Sequence, residues 1–265
     1  MVVDVLRYLS TPARGGSWNM ALDEALMESG RRGRITLRVY GWTPPCLSLG
    51  RNQIARGRYD SHEAARRGID IVRRPTGGRA VLHDREITYS VTGPAGLWGG
   101  LREGYLRINR GLARGLLALG VKLDPQPDGS APPPQRAPPP TERACFRDPL
   151  PGELASEGRK LVGSAQWRAD GALLQHGSIL LHDDQRLVDE LLAEPKRRSV
   201  VSGACSLQEL MGRVPPSREI SQALAEGLAE ELGARLEADE VSSAERRAAA
   251  ALEARYTHPG WTWRR

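Results

Sequence analysis

Residues 145–181 read CFRDPLPGELASEGRKLVGSAQWRADGALLQHGSILL, and the fold is read outward from them. Lys160–Arg168 and Ala172–Leu181 are two extended runs separated by Ala169-Asp170-Gly171. Asp-Gly between apolar runs predicts a tight hairpin. Ahead of it stands Cys145, in a polar loop between Arg143 and Arg147. Lys160 opens the first strand, across a loop containing Pro149 and Pro151 that lets the chain return on itself. A thiol reacts as its thiolate, and an ordinary cysteine is ionised to only a few per cent at neutral pH. A nearby ammonium stabilises the anion, so Cys145 and Lys160 are a candidate nucleophile and activator. Lysine is scarce here: of 38 basic residues only Lys122, Lys160 and Lys196 are lysines. The other two cysteines read as small buried residues: Cys46 follows Pro-Pro and precedes Leu-Ser-Leu, and Cys205 lies in SGACSLQEL.

Towards the N-terminus, Ile69–Arg73 is an apolar strand that delivers RRPTGGRAVLH, residues 73–83. Pro75 sets a turn, and Gly77-Gly78 lets the backbone bend and lets another group approach closely. Successive amides in such a turn make a cradle for an anionic or carbonyl oxygen, with Arg73, Arg74 and Arg79 supplying charge and Thr76 and His83 polar contacts.

Around these two segments the expected elements are helices at Trp18–Ser29 (Ser17 as cap, Gly30 as stop), Tyr59–Arg67, Tyr105–Leu119, Asp183–Ala193, Arg218–Leu232 (Ser217 as cap) and Ser243–Tyr256. Ile35–Trp42 and Cys46–Gly50 read as strands, and Glu86–Thr92 alternates as a half-buried strand does. A short helix is placed within Gly203–Met211. The Pro-rich run 124–140 forms no packed element and reads as a flexible loop inserted in one domain spanning 1–265. The order of elements gives α/β or α+β with a mixed sheet.

Composition bounds the rest. The chain of 265 residues is 40% hydrophobic and 26% charged, ordinary for a soluble globular protein. No apolar run nears the ~18 residues a membrane span needs, and the N-terminus lacks the pattern of a secretory signal. Three cysteines argue against a disulfide framework and for a reducing cytoplasm. The net charge of +6 permits nucleic-acid binding and equally suits an acidic protein partner. The arginines are spread through many segments and no nucleic-acid recognition motif is present. Walker, GxGxxG, HExxH, CxxC and GxSxG signatures are absent, and His182-Asp183-Asp184 reads as an acidic helix start rather than a metal site.

Six segments in order, GGSWNMALDEALM, RVYGWTPPCLSLGRNQ, VRRPTGGRAVLHDREITYSV, ACFRDP, EGRKLVGSAQWR and ALLQHGSILL, resemble the biotin/lipoate protein ligase and transferase superfamily. Cys145-Phe146 followed by Gly158-Arg159-Lys160 and Gly-Ser-Ala-Gln is most similar to its LipM kind of octanoyltransferase. The resemblance implies an α+β fold: a mixed, largely antiparallel central sheet, a smaller sheet, flanking helices and no accessory C-terminal domain. It implies a cytoplasmic, monomeric acyltransferase that needs no cofactor. Cys145 would take an octanoyl group from octanoyl-acyl carrier protein as a thioester. Lys160 would lower the Cys145 pKa and hold the acyl carbonyl. The acceptor would be a lysine of a lipoyl-domain protein, such as glycine cleavage H protein or a 2-oxoacid dehydrogenase subunit. Arg73, Arg74, Thr76, Gly77, Gly78, Arg79, Ala80 and His83 would bind substrate from one side, and Gly163, Ser164, Ala165, Gln166, His176 and Gly177 from the other. Val81, Leu82, Leu161 and Leu174 are candidates for an acyl slot. The alternatives are a lipoate ligase using ATP and Mg, an octanoyl amidotransferase acting between lipoyl domains and, in a different class, a nucleic-acid-binding protein.

Overall fold

In the strand Glu86–Pro94, every second residue of EITYSVT is apolar, yet all of Glu86–Gly93 is buried. Ile87, Tyr89 and Val91 enter the main core, while Glu86, Thr88 and Ser90 face a second, covered layer. The expected half-buried strand is thus corrected: its polar face is roofed by protein rather than by water. The computed structural model describes residues 3–125, 152–194 and 203–265. Cys145, its neighbours Arg143 and Arg147, and the Pro-rich run beyond residue 125 lie outside the described residues.

The first half of the chain holds β1 (Val5–Ser10), α1 (Gly16–Arg31), β2 (Thr36–Tyr40), β3 (Cys46–Leu49), α2 (Ser61–Arg66), β4 (Asp70–Arg73), β5 (Val81–His83) and β6 (Glu86–Pro94). A 3-10 turn at Ala95–Trp98 leads into α3 (Leu101–Ala118), then β7 (Leu154–Ser156), β8 (Arg159–Ala169) and β9 (Ala172–Leu180). The last part holds α4 (Leu187–Glu190), α5 (Leu207–Met211), α6 (Ser217–Leu232), β10 (Arg235–Ala238), α7 (Ser243–Thr257) and α8 (Pro259–Thr262). A seven-stranded sheet runs β10-β1-β2-β6-β9-β8-β7, and a three-stranded sheet runs β4-β3-β5. Only β1–β10 and β1–β2 are parallel in the large sheet. The fold is therefore α+β with a mixed, largely antiparallel central sheet, a smaller sheet and flanking helices.

The hairpin forms as its turn chemistry predicts: Asp170 and Gly171 have φ of 50° and 79°, the two left-handed residues of a type I′ turn. Helices α3 and α6 cover one face of the large sheet, through Ile108, Leu112, Leu116, Leu224 and Leu228. Helix α1 covers the other, with Met20 and Leu26 packed among Tyr40, Cys46, Val72 and Tyr256. A buried ion pair, Arg7 Nη1 to Glu245 Oε1 at 2.7 Å, ties β1 to α7. Among the described residues no helix is long and apolar enough to cross a membrane.

Several expected boundaries shift for local reasons. Gly30 does not stop α1; it lies inside the helix, where a Cβ would come within 2.9 Å of the Gly93 amide nitrogen, and the chain turns at Gly33 instead. Ser17 and Ser217 are helical residues rather than caps, after Gly15 and Pro216. Only Leu187–Glu190 of the expected 183–193 helix forms. The acidic run before it serves elsewhere, since Asp184 accepts from the Arg85 amide at 3.2 Å. The short β5 and β10 carry too little pattern to be read from sequence.

Candidate active site

Two cross-strand rows make the floor of a cleft. One runs Arg38–Ser90–His176–Ala165 and the other Tyr40–Thr88–Ser178–Gly163, across β2, β6, β9 and β8. Both rows end on small residues at β8, Ala165 and Gly163, so the floor falls away there and leaves room. The small sheet, Met20 of α1 and Trp42 form the walls. The cleft is lined mainly by Met20, Tyr40, Trp42, Val81, His83 and His176 with Arg74, Gly78 and Gly163–Ala165.

The turn after β4 closes on its own arginine. Arg74 donates from Nη1 to the Ser48 carbonyl (2.9 Å) and from Nη2 to the carbonyls of Gly77 (2.8 Å) and Arg79 (2.7 Å). Gly78 has a φ of 97°, a conformation side chains resist, and a Cβ on it would meet Arg74 Nη2 at 2.6 Å. Gly77 faces open space. Arg73 does not join the cleft: Nε donates to the Thr262 carbonyl (2.8 Å) and Nη1 to the carbonyls of Gly50 (2.5 Å) and Gln53 (2.9 Å). Its burial, and then the charges of Arg264 and Arg74, lower its pKa to about 10, so it stays cationic and straps the C-terminal residues to the 50–53 loop.

Two histidines are held in opposite ways. His176 Nδ1 lies 3.1 Å from Asp23 Oδ2, and its Nε2 lies 2.6 Å from Thr76 Oγ1. Burial alone would raise the Asp23 carboxyl; the His176 hydrogen bond and the Arg38 charge reverse this and hold it below the usual carboxylate range. An ionised Asp23 calls for a proton on His176 Nδ1, which leaves Nε2 to accept from Thr76. His83 stacks on Trp42 with ring centroids 4.0 Å apart. Its Nε2 lies 2.7 Å from Ser48 Oγ and its Nδ1 3.4 Å from Glu86 Oε1. Burial pushes its pKa down, with Glu86 opposing, so His83 is neutral at neutral pH. Glu86 keeps its second oxygen, Oε2, buried without a hydrogen-bond partner among the described residues.

Lys160 is buried, and its Nζ donates to Glu153 Oε1 at 2.6 Å. A bulge interrupts the β7–β8 pairing, so that Leu154 opposes Val162 and Ala155 opposes Lys160, and Lys160 and Val162 point to opposite faces of the sheet. Val162 and Ser164 lie on the side covered by α3. There Ser164 Oγ bonds Tyr89 OH at 2.7 Å, Gln175 Nε2 donates to Tyr89 OH and Asn109 Oδ1, and Gln166 donates to Gln175. Lys160 stands three residues before Gly163, roughly 10 Å along the strand.

Of the residues expected at the site, the structure brings Arg74, Gly78, His83, Gly163, Ser164, Ala165, His176 and Gly177 around one cleft. Thr76 joins them through His176, and Gly77 borders it. Ala80 is buried with Leu47 and Leu82 in the small-sheet core. Val81 lines the cleft, whereas Leu161 lies in the core beneath α3 and Leu174 packs with Met27. Asp23, Tyr40, Trp42, Ser48, Thr88 and Ser178 escaped the sequence reading. The alternation of β2, β6 and β9 marks Tyr40, Thr88 and Ser178 as one stripe, and no local signal marks Asp23, Trp42 or Ser48. Cys46 and Cys205 are packed in the core; burial raises both thiols, Cys205 to about 11. Among the described residues no cluster of three or more His, Cys, Asp or Glu could hold a metal ion.

Residues 16–229 match the lipoyl protein ligase A/B catalytic domain, and the chain belongs to that family. It is 44% identical to octanoyltransferase LipM of Kyrpidia tusciae, with 98% of each chain covered, and 40% identical, also over 98% of each, to octanoyltransferase LipM of Symbiobacterium thermophilum. Lipoate-protein ligase A bound with ATP superposes with a TM-score of 0.77, at 24% identity over 99% of each chain. A bipartite lipoate protein ligase from Thermoplasma acidophilum, described with its E2 lipoyl domain, superposes at 0.75 with 22% identity, covering 99% of this chain and 97% of that one. The two structures share the fold.

Proposed function

We propose that the protein transfers an octanoyl group from octanoyl-acyl carrier protein to a lysine of a lipoyl-domain protein, through a thioester on Cys145. The observation that carries this reading is the cleft: an apolar slot between Met20, Tyr40, Trp42 and Val81, lined also by Gly78 and Gly163–Ala165. An alkyl chain suits such walls, and the near full-length relatives named octanoyltransferases support the acyl group.

In the first half-reaction the Cys145 thiolate attacks the thioester carbonyl and the carrier's sulfur departs, taking a proton. In the second, the neutral amine of the acceptor lysine attacks the Cys145 thioester, loses a proton and forms an amide, and the Cys145 thiolate leaves. The oxygen of each tetrahedral intermediate needs hydrogen-bond donors. Among the described residues no strand pairs with the outer edge of β8 beyond Val162, so alternate amides of 163–165 face outward there. Together with the Gly77-Gly78 amides they are the proposed donors. Lys160 supplies positive charge to Cys145, eight residues upstream of its partner Glu153. His176, with its tautomer set by Asp23, holds the Thr76 turn against β9.

The test is incubation with octanoyl-acyl carrier protein in the absence of ATP, followed by intact mass. A hydroxylamine-labile octanoyl adduct is expected, absent in Cys145→Ser and severely reduced in Lys160→Ala. Octanoylation that appears only with free octanoate and ATP would overturn the reading in favour of a ligase. Efficient use of an octanoylated lipoyl domain as sole donor would point to an amidotransferase.

A further inference from the structure

We propose that the arginine-rich rim around exposed Ile54 is the docking surface for the acidic carrier protein that delivers the acyl group. Three chain segments, 50–58, 73–80 and 259–265, contain eight arginines and neither Asp nor Glu; Arg73 and Arg74 are buried, and Arg51, Arg56, Arg58, Arg79, Arg264 and Arg265 are partly or fully exposed. The fold gathers them at the mouth of the cleft. The Arg51 amide donates to the Thr76 carbonyl at 2.7 Å, inside the turn that walls the cleft. The amides of Ala55 and Arg56 donate to the Arg265 carbonyl at 3.0 and 2.8 Å, and Arg264 Nη2 donates to the Arg51 carbonyl at 2.5 Å. Arg51 also lies over the ring of Trp167 on β8, 5.1 Å from its centroid.

Some exposed arginines elsewhere stand against acids, as in Arg66–Glu63, Arg67–Glu190, Arg114–Glu230 and Arg159–Glu209. At the rim like charges are also drawn together: burial and then the charges of Arg51 and Arg265 lower the Arg264 pKa. A concentration of positive charge at a cleft mouth attracts and orients an acidic partner. Ile54, 57% exposed within the 51–58 loop, adds the apolar contact that a folded partner uses and a small anion does not. The inference rests on the donor assigned above. It places the carrier where the acyl group can enter between the Thr76–Gly78 turn and β8.

Binding of fluorescently labelled octanoyl-acyl carrier protein to the full chain, without acceptor, tests this at low and physiological salt. Arg56→Glu/Arg264→Glu is expected to weaken carrier binding by tenfold or more and to flatten its salt dependence, with roughly tenfold taken as the effect of two reversed rim charges. Ile54→Ser, which leaves the arginines in place, is expected to weaken binding at both salt concentrations. Melting temperature and affinity for an isolated lipoyl domain are expected to stay unchanged. Unaltered carrier affinity in both variants, an equal loss for the lipoyl domain, or displacement of the carrier by ATP alone overturns the proposal. Because binding is read without turnover, a protein that docks the carrier here yet forms no octanoyl adduct would refute the transferase and leave the docking surface standing.

Discussion

Asp23 gathers hydrogen bonds from Arg38 Nη1, Tyr40 OH, Ser90 Oγ and His176 on one buried carboxylate, and Lys160 with Glu153 repeats the principle at the β7–β8 edge of the sheet. A buried pair contributes little net stability, because desolvation offsets attraction, but breaking it leaves an uncompensated charge. Glu153→Ala is therefore expected to lower unfolding free energy by about 3–5 kcal/mol, measured by urea titration. Glu153→Leu with Lys160→Met removes both charges and is expected to recover most of that loss while octanoyl transfer stays abolished. A double variant as unstable as the single one would show that the pair acts through more than its charges. Sequence reasoning found Lys160 because lysine is scarce in this chain. It did not find Glu153, since nothing in the primary structure says which of 32 acids folds back onto it.

At the level of elements, glycines do two different things. Gly115 of α3 and Gly227 of α6 bring two backbones into contact: a Cβ on Gly115 would lie 2.4 Å from the Ala223 carbonyl oxygen, and one on Gly227 2.4 Å from the Gly115 nitrogen. Gly115→Ala should gain the ~1 kcal/mol of helix propensity and still destabilise, because the helices must separate, for a net loss of roughly 1–3 kcal/mol in thermal or urea unfolding. Gly77 meets nothing within 4 Å. Gly77→Ala is expected to leave stability within about 0.5 kcal/mol and to reduce octanoyl transfer, since the methyl would enter the space assigned to the acyl carbonyl. An unimpaired Gly77→Ala enzyme would remove that turn from the oxyanion site. The Asp170-Gly171 hairpin and the amphipathic α3 were legible because turn chemistry and a 3.6-residue period are local signals. The 183–193 helix was overread, because its acidic start is engaged in holding the β5–β6 turn.

For the whole molecule, three buried groups set the response to acid. His83 has its pKa lowered by burial, so the unfolded chain takes up a proton more readily, and stability present above the unfolded value of roughly 6.5 falls as pH drops through it. Glu245 would be raised by burial, but Arg7 and Ser242 lower it to about 2, and Asp23 is lowered too. Their contributions, intact at neutral pH, are lost below the ordinary carboxylate range. The protein is expected to lose stability in two stages on acidification, one near pH 6 and one below pH 4.5, followed by the urea midpoint across pH. His83→Gln should flatten the first stage and leave the second.

The chain by itself determined the family blocks, the hairpin, the glycine turn and the candidate Cys145 and Lys160, because each is written in neighbouring residues or in a rare residue type. Only the tertiary structure decided that the polar face of β6 is roofed, that Arg73 is a strap rather than a ligand, and that Asp23 orients His176. It also decided that three acid-free segments meet at one rim. These are contacts between residues far apart in sequence, and alternation alone cannot say whether a polar stripe meets water or another layer of protein.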